Sequence, residues 1–179
     1  SILDYAQEGE ESEAEFDATS REIIRTIEFA HDNPSVPFSV FKITGIARFD
    51  LLAKVSEGGS LTREEEIEYQ RVEERAEEIF RRGCELDVPV MVDAEETWIQ
   101  PVLDDLVLRL MARYNRKKAI VQNTYQMYRY DSIARIRQHH RMALEGGFRL
   151  GLKIVRGAYM EKERTRALVK GYPSPIQPD

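Results

Sequence analysis

The sequence predicts an α/β fold built on a parallel sheet. Two observations carry that expectation: short β-rich runs alternate with helix-length amphipathic stretches, and no hairpin signal joins two runs directly. The runs are Ser1-Ile2-Leu3-Asp4-Tyr5-Ala6, Phe38-Ser39-Val40-Phe41-Lys42-Ile43-Thr44, Val88-Pro89-Val90-Met91-Val92-Asp93, Ala119-Ile120-Val121-Gln122-Asn123 and Leu150-Gly151-Leu152-Lys153-Ile154-Val155. They recur at intervals of roughly 30 to 50 residues, about the length of a βαβ unit.

The intervening helices carry their own start and stop signals. Asp17 or Thr19 is expected to cap a helix whose apolar face is Ile23, Ile24, Ile27 and Ala30, with Asn33-Pro34 ending it. A short extra helix is expected within 46–55. Thr62 and Glu65 form a capping box opening a long acidic helix with an inward stripe of Ile67, Val72, Ala76, Ile79 and Phe80. Pro101 suits the first turn of a helix burying Leu103, Leu106, Leu110 and Met111. Asp131 is expected to cap a fifth helix that stops at Gly146-Gly147, and a last one runs from about Glu161 to Gly171.

Two architectures share this pattern. A closed eight-unit β/α barrel needs about 250 residues, so a chain of 179 residues would supply about its first five units. A doubly wound sheet of five strands would be complete at this length. Periodicity leaves both open.

Composition narrows the function classes. Lys and Arg total 26 against 32 Asp and Glu, a formal net charge of −6, which argues against nucleic acid as a partner. No apolar run approaches the ~18 residues of a membrane span. A lone cysteine, Cys84, excludes an intrachain disulfide framework. With no second cysteine or closely placed histidine, no metal site is expected. No Gly-rich phosphate loop and no nucleophile elbow appear. His139 and His140, beside Arg137 and Arg141, read as surface residues, and the Glu64-Glu65-Glu66 run as a solvated helix face.

In either architecture, functional groups belong at the carboxyl ends of the strands. The unusual polar residues fall there: Lys42 and Thr44, Asp93-Ala94-Glu95-Glu96, Asn123-Thr124-Tyr125-Gln126, and Arg156-Gly157-Ala158-Tyr159. Lys153 lies inside the fifth run, and alternation sends it to the face opposite Leu152 and Ile154. A buried lysine without a partner is costly, so a shared polar pocket is the economical account of two lysines, an acid and an amide.

At these strand ends the sequence resembles the proline dehydrogenase family. The resemblance rests on Phe41-Lys42-Ile43-Thr44-Gly45 with Arg48-Phe49, Val92-Asp93-Ala94-Glu95, Asn123-Thr124-Tyr125-Gln126, and the run Lys153-Ile154-Val155-Arg156-Gly157-Ala158-Tyr159-Met160-Glu161-Lys162-Glu163. Gly171-Tyr172-Pro173 and Pro175-Ile176-Gln177-Pro178 also fit. The wording is similar to the monofunctional branch; the bifunctional bacterial enzymes tend to have Gln at position 123 and to swap the residue types of Lys153 and Arg156.

The resemblance implies a distorted (β/α)8 TIM-type barrel, of which residues 1–179 would be the partial catalytic barrel with its first five strands. It implies FAD as cofactor and L-proline as substrate, oxidised to 1-pyrroline-5-carboxylate by hydride transfer to flavin N5, with a quinone as electron acceptor. Lys42 matches the lysine lining the proline site, and Tyr159 a residue packing against substrate. Asp93 matches the active-site aspartate and Ala94 a backbone contact beside the flavin. Asn123 matches the amide at the flavin edge near N5, and Lys153 the cation near N1 and O2. Val155, Arg156, Gly157 and Ala158 match the FAD-binding loop, where small residues would let backbone N–H groups approach the cofactor.

The match ends after the fifth strand, so the remaining strands are expected as a partner in the active species. They would bring the adenylate loops and the paired arginines that clamp the proline carboxylate. The quinone implies peripheral contact with a membrane: the bacterial inner membrane from the cytoplasm, or the matrix side of the mitochondrial one. Three other readings stay open at the level of sequence. One is a barrel enzyme using Lys42 or Lys153 as a Schiff-base nucleophile, another is an inactive fragment acting as a binding module, and the third is hydroxyproline as substrate.

Overall fold

The computed structural model describes residues 3–5 and 12–178. Five strands, β1 (Leu3–Tyr5), β2 (Ser39–Phe41), β3 (Val90–Val92), β4 (Val121–Gln126) and β5 (Leu152–Val155), form one sheet. All four pairings are parallel, and the spatial order is the chain order, β1-β2-β3-β4-β5. A doubly wound sheet reverses its strand order at a switch point. A sheet that always advances in one direction is the winding of a β/α barrel, and this observation settles what periodicity left open.

Helices α1 (Glu13–His31), α2 (Phe49–Ser56), α3 (Arg63–Leu86), α4 (Gln100–Tyr114), α5 (Ser132–Gly146) and α6 (Met160–Lys170) alternate with the strands. The main core lies between sheet and helices. Phe41, Val90, Val92 and Val121 on one sheet face meet Ile23 and Ile27 of α1, Ile79 and Phe80 of α3, and Leu103, Val107 and Met111 of α4. Each of these side chains is buried, and each contributes about 1.5–3 kcal/mol by leaving water. Strand alternation then sends Val40, Met91 and Gln122 to the other, inner face.

Several local expectations hold. Thr62 and Glu65 form the reciprocal capping box of α3. Pro101 sits in the first turn of α4, and Gly147 and Gly171 end α5 and α6 in the left-handed conformation.

Others are corrected. Helix α1 starts earlier, capped by Ser12 in a box with Glu15, while Asp17 pairs with Arg75 of α3 at 2.7 Å. Ile67 is 40% exposed: its five-residue step to Val72 turns the helix about 140° away from the stripe. Asp131 stands at the N-cap of α5, but its carboxylate is taken by a two-point pair with Arg129 at 2.8 and 2.6 Å. His139 is buried rather than at the surface, and its Nδ1 lies 2.7 Å from the Tyr125 hydroxyl. Burial and the neighbouring Arg135 push its imidazole down to about 4. The tail folds back onto the β4–α5 connection, with the Gln177 N–H donating to the Tyr128 carbonyl at 2.7 Å.

Candidate active site at the carboxyl ends of the strands

The site is a row set by strand register. Phe41 pairs with Val92, Val92 with Asn123, and Thr124 with Lys153. One residue further along, Lys42, Asp93, Thr124 and Lys153 therefore share a row on the inner face, where the alternation of a pleated strand directs them. The Asp93 N–H donates to the Phe41 carbonyl at 2.9 Å, carrying the ladder one step beyond the formal strands. Across the row, the Lys153 ammonium forms an ion pair with the Asp93 carboxylate, and both side chains are partly buried.

Glu95 lies two residues beyond Asp93 and is 2% exposed. Its carboxylate accepts from the Thr44 N–H at 3.2 Å and the Thr44 hydroxyl at 2.5 Å. Burial pushes its carboxyl up to about 7 against those two hydrogen bonds; Glu96 adds to the rise and Lys42 opposes it. The Glu95 peptide is also held at both ends. Its N–H donates to Gln100 Oε1 at 2.8 Å, and its carbonyl accepts from Gln126 Nε2 at 2.7 Å.

Asn123 is not brought to this row. It faces the helices, fully buried, with Nδ2 donating to Asp104 of α4 at 2.8 Å and Oδ1 accepting from the Thr124 N–H at 3.0 Å. The reason is the pleat: Asn123 stands two residues after Val121, which faces the helix-side core, and so falls on the same face. Alternation then turns Asn123 and Tyr125 to the helices, and Thr124 and Gln126 inward. Toward the carboxyl end of β4, the inner face carries the Gln126 carboxamide.

The loop after β5 packs against the β4–α5 connection. Val155 pairs with Gln126. Gly157 has φ +130°, and a Cβ there would stand 2.6 Å from the Tyr128 ring, so its bare Cα makes room for that ring. The Ala158 N–H donates to Gln126 Oε1 at 3.2 Å, and Ala94 is buried. Arg156 is exposed and lines an open cleft of about 340 Å³ with Met127, Met160, Ile176 and Gln177. Gly157→Ala is expected to destabilise by about 1–3 kcal/mol, combining a forbidden φ with the ring clash; denaturant unfolding measures it.

Helix α6 is strapped over the β3–α4 connection. The buried Glu163 carboxylate accepts from the Thr97 N–H at 2.6 Å and the Thr97 hydroxyl at 2.7 Å. Lys162 pairs with Glu96, and its ammonium lies 5.7–5.9 Å from the Phe49, Trp98 and Tyr159 rings. These contacts fix Tyr159, which precedes α6.

The family model described as proline dehydrogenase matches residues 1–179. The chain belongs to the proline dehydrogenase family. Among its relatives, the carbapenem antibiotics biosynthesis protein CarD of Pectobacterium carotovorum is 36% identical over 163 residues, covering 91% of this chain and 43% of CarD. The mitochondrial proline dehydrogenase 1 of Drosophila melanogaster is 41% identical over 116 residues, 65% of this chain and 17% of the fly protein. The chain therefore spans less than half the length of these proteins. Its fold matches a Bradyrhizobium japonicum proline utilization A structure with a TM-score of 0.80 at 19% identity, over 98% of this chain and 18% of that one. The partial sheet and its helices are thus part of a TIM-type barrel, with the Lys42, Asp93 and Lys153 row at its carboxyl end. Among the described residues, no helix is long and apolar enough to cross a membrane.

Proposed function

We propose that the polypeptide containing this chain oxidises L-proline to 1-pyrroline-5-carboxylate, using FAD. The observation that carries this reading is the ion pair of Lys153 with Asp93, on the inner face and in one row with Lys42. In the reaction proline loses a hydride from C5 and a proton from nitrogen, leaving a C5=N double bond.

The donor set suits FAD. Lys42 and Lys153 bring two cations to one row, and a redox ring that gains negative charge on reduction is stabilised by fixed cations. When bound, FAD would supply the hydride acceptor and pass the electrons to a quinone. Lys153 would meet the charge that develops at the cofactor, and Asp93 holds its ammonium in place. Lys42 would line the proline side, and Tyr159 would pack against the substrate. Val155, Arg156, Gly157 and Ala158 would border the cofactor, with Gln126 tying that loop to Glu95 in the β3–α4 connection. Hydride loss is easier from a neutral amine, and Asp93 and Glu95 give the site an acidic network that could take up the amine proton. The remaining barrel strands would complete the substrate clamp. The quinone reading places the protein peripherally at the bacterial or mitochondrial inner membrane.

An ammonium held in an ion pair is a poor nucleophile, which disfavours a Schiff-base role for Lys153. The test is to give the complete polypeptide, as its gene encodes it, L-proline or hydroxyproline with a soluble quinone. Pyrroline-5-carboxylate from L-proline is expected, trapped as its aminobenzaldehyde adduct. No product from L-proline would overturn the reading.

A further inference from the structure

Behind the reaction row lies a polar cluster in an otherwise apolar layer between the sheet and α4. Asp104 is 5% exposed, on a helix that also buries Leu103, Leu106 and Val107. Its Oδ1 accepts from Gln100 Nε2 and from Asn123 Nδ2, each at 2.8 Å. Its Oδ2 forms an ion pair with Arg135 of α5. A buried ion pair adds little net stability compared with apolar side chains of the same shape, so what this one holds in place is the informative question.

Two of the groups it holds, Gln100 and Asn123, connect to the reaction row. Gln100, gripped by Asp104, accepts the Glu95 N–H, two residues beyond Asp93. Asn123, gripped by the same oxygen, accepts the N–H of Thr124, the register partner of Lys153. From the inner face Gln126 takes the Glu95 carbonyl, so Glu95, two residues after Asp93, is clamped through its N–H and carbonyl between two carboxamides. One of those is oriented by Asp104. A carboxylate is suited to this because it accepts from several donors at once and donates to none.

We propose that Asp104 and Gln100 are positioning residues for the reaction site: they fix the backbone that aims Asp93 at Lys153. The proposal rests on the proline-oxidation reading. Neither residue touches the row itself, and their effect passes through the Glu95 peptide and β4.

The test uses the complete polypeptide with FAD. Asp104→Asn removes the hub but also strands Arg135, so Gln100→Met, which leaves that ion pair intact, is the deciding variant. Gln100→Met is expected to lower kcat about 10- to 100-fold, as a misplacement of reacting groups by a fraction of an ångström to 1 Å does, with KM for proline unchanged. Hydrogen exchange at the Glu95 amide should quicken while the amides of α3 stay protected. Asp105→Asn, one residue on and paired at the surface with Arg109 at 3.1 Å, should leave both readouts as in wild type. A Gln100→Met protein with wild-type kcat overturns the proposal, as does a loss of kcat accompanied by faster exchange throughout the chain. Failure of the unsubstituted protein to oxidise proline would instead overturn the reaction reading, and it would be seen before any substitution is compared.

Discussion

Lys153→Met is expected to slow proline oxidation by about 10²- to 10³-fold, the scale of losing one preorganised charge partner for a transition state. The fold should survive. Lys153 lies within β5, on its inner face, in a partly buried pair with Asp93, outside the main apolar core. Losing a partly exposed ion pair costs on the order of 1 kcal/mol. Turnover with proline and the denaturant midpoint, measured on the same protein, separate the two effects. The double variant Asp93→Asn/Lys153→Met sharpens the comparison. It restores charge balance in the row and should recover stability, yet turnover should stay low. Recovery of turnover in the double variant would mean that the pair matters only as a structural tie.

Glu95→Gln is expected to change how stability depends on pH. The Glu95 carboxyl stands at 4.5 in an unconstrained chain and is pushed up to about 7 in the fold, chiefly by burial. Between those values the folded protein keeps a proton that the unfolded chain has released. Stability from this group therefore falls as pH rises from about 4.5 to about 7, and stays level above that. The drop is about 3 kcal/mol across the window. A glutamine keeps the shape, accepts the Thr44 N–H and donates to the Thr44 hydroxyl, so it removes the titration without removing the contacts. Unfolding free energies at pH 5 and pH 8 should show Glu95→Gln gaining on wild type at the higher pH. His139 works in the opposite sense: held down to about 4, it destabilises the fold as pH drops below its ordinary value of 6.5. Comparing each variant with wild type across both pH values keeps the two groups apart.

Much of the architecture was legible because each β-run is short, apolar and bracketed by helix signals with a direct physical meaning. Thr62 with Glu65, Pro101, Gly147 and Gly171 fell where capping chemistry requires them. Strand order was beyond reach, since periodicity reports elements and not their neighbours. The row of Lys42, Asp93 and Lys153 was legible from strand ends and alternation. Alternation also sends Asn123, two residues after the apolar Val121, to the helix side, whereas its flavin-edge role rests on the family resemblance. The Asp104 cluster did leave a signal. Gln100 and Asp104 are four residues apart on the buried stripe of α4, where apolar residues would be expected. His139 and Ser12 were missed for a different reason: both lie in charged stretches whose average polarity hides one buried or capping residue.

Proline oxidation is the task proposed for the lysine and aspartate row on the inner face. An anaerobic addition of L-proline to the complete polypeptide, followed in the visible flavin bands, tests it most directly. The account predicts that the bands bleach as proline is consumed, and that Lys153→Met bleaches far more slowly. A flavin-loaded protein whose bands stay unchanged under saturating proline, or a Lys153→Met variant that bleaches at the wild-type rate, would contradict it.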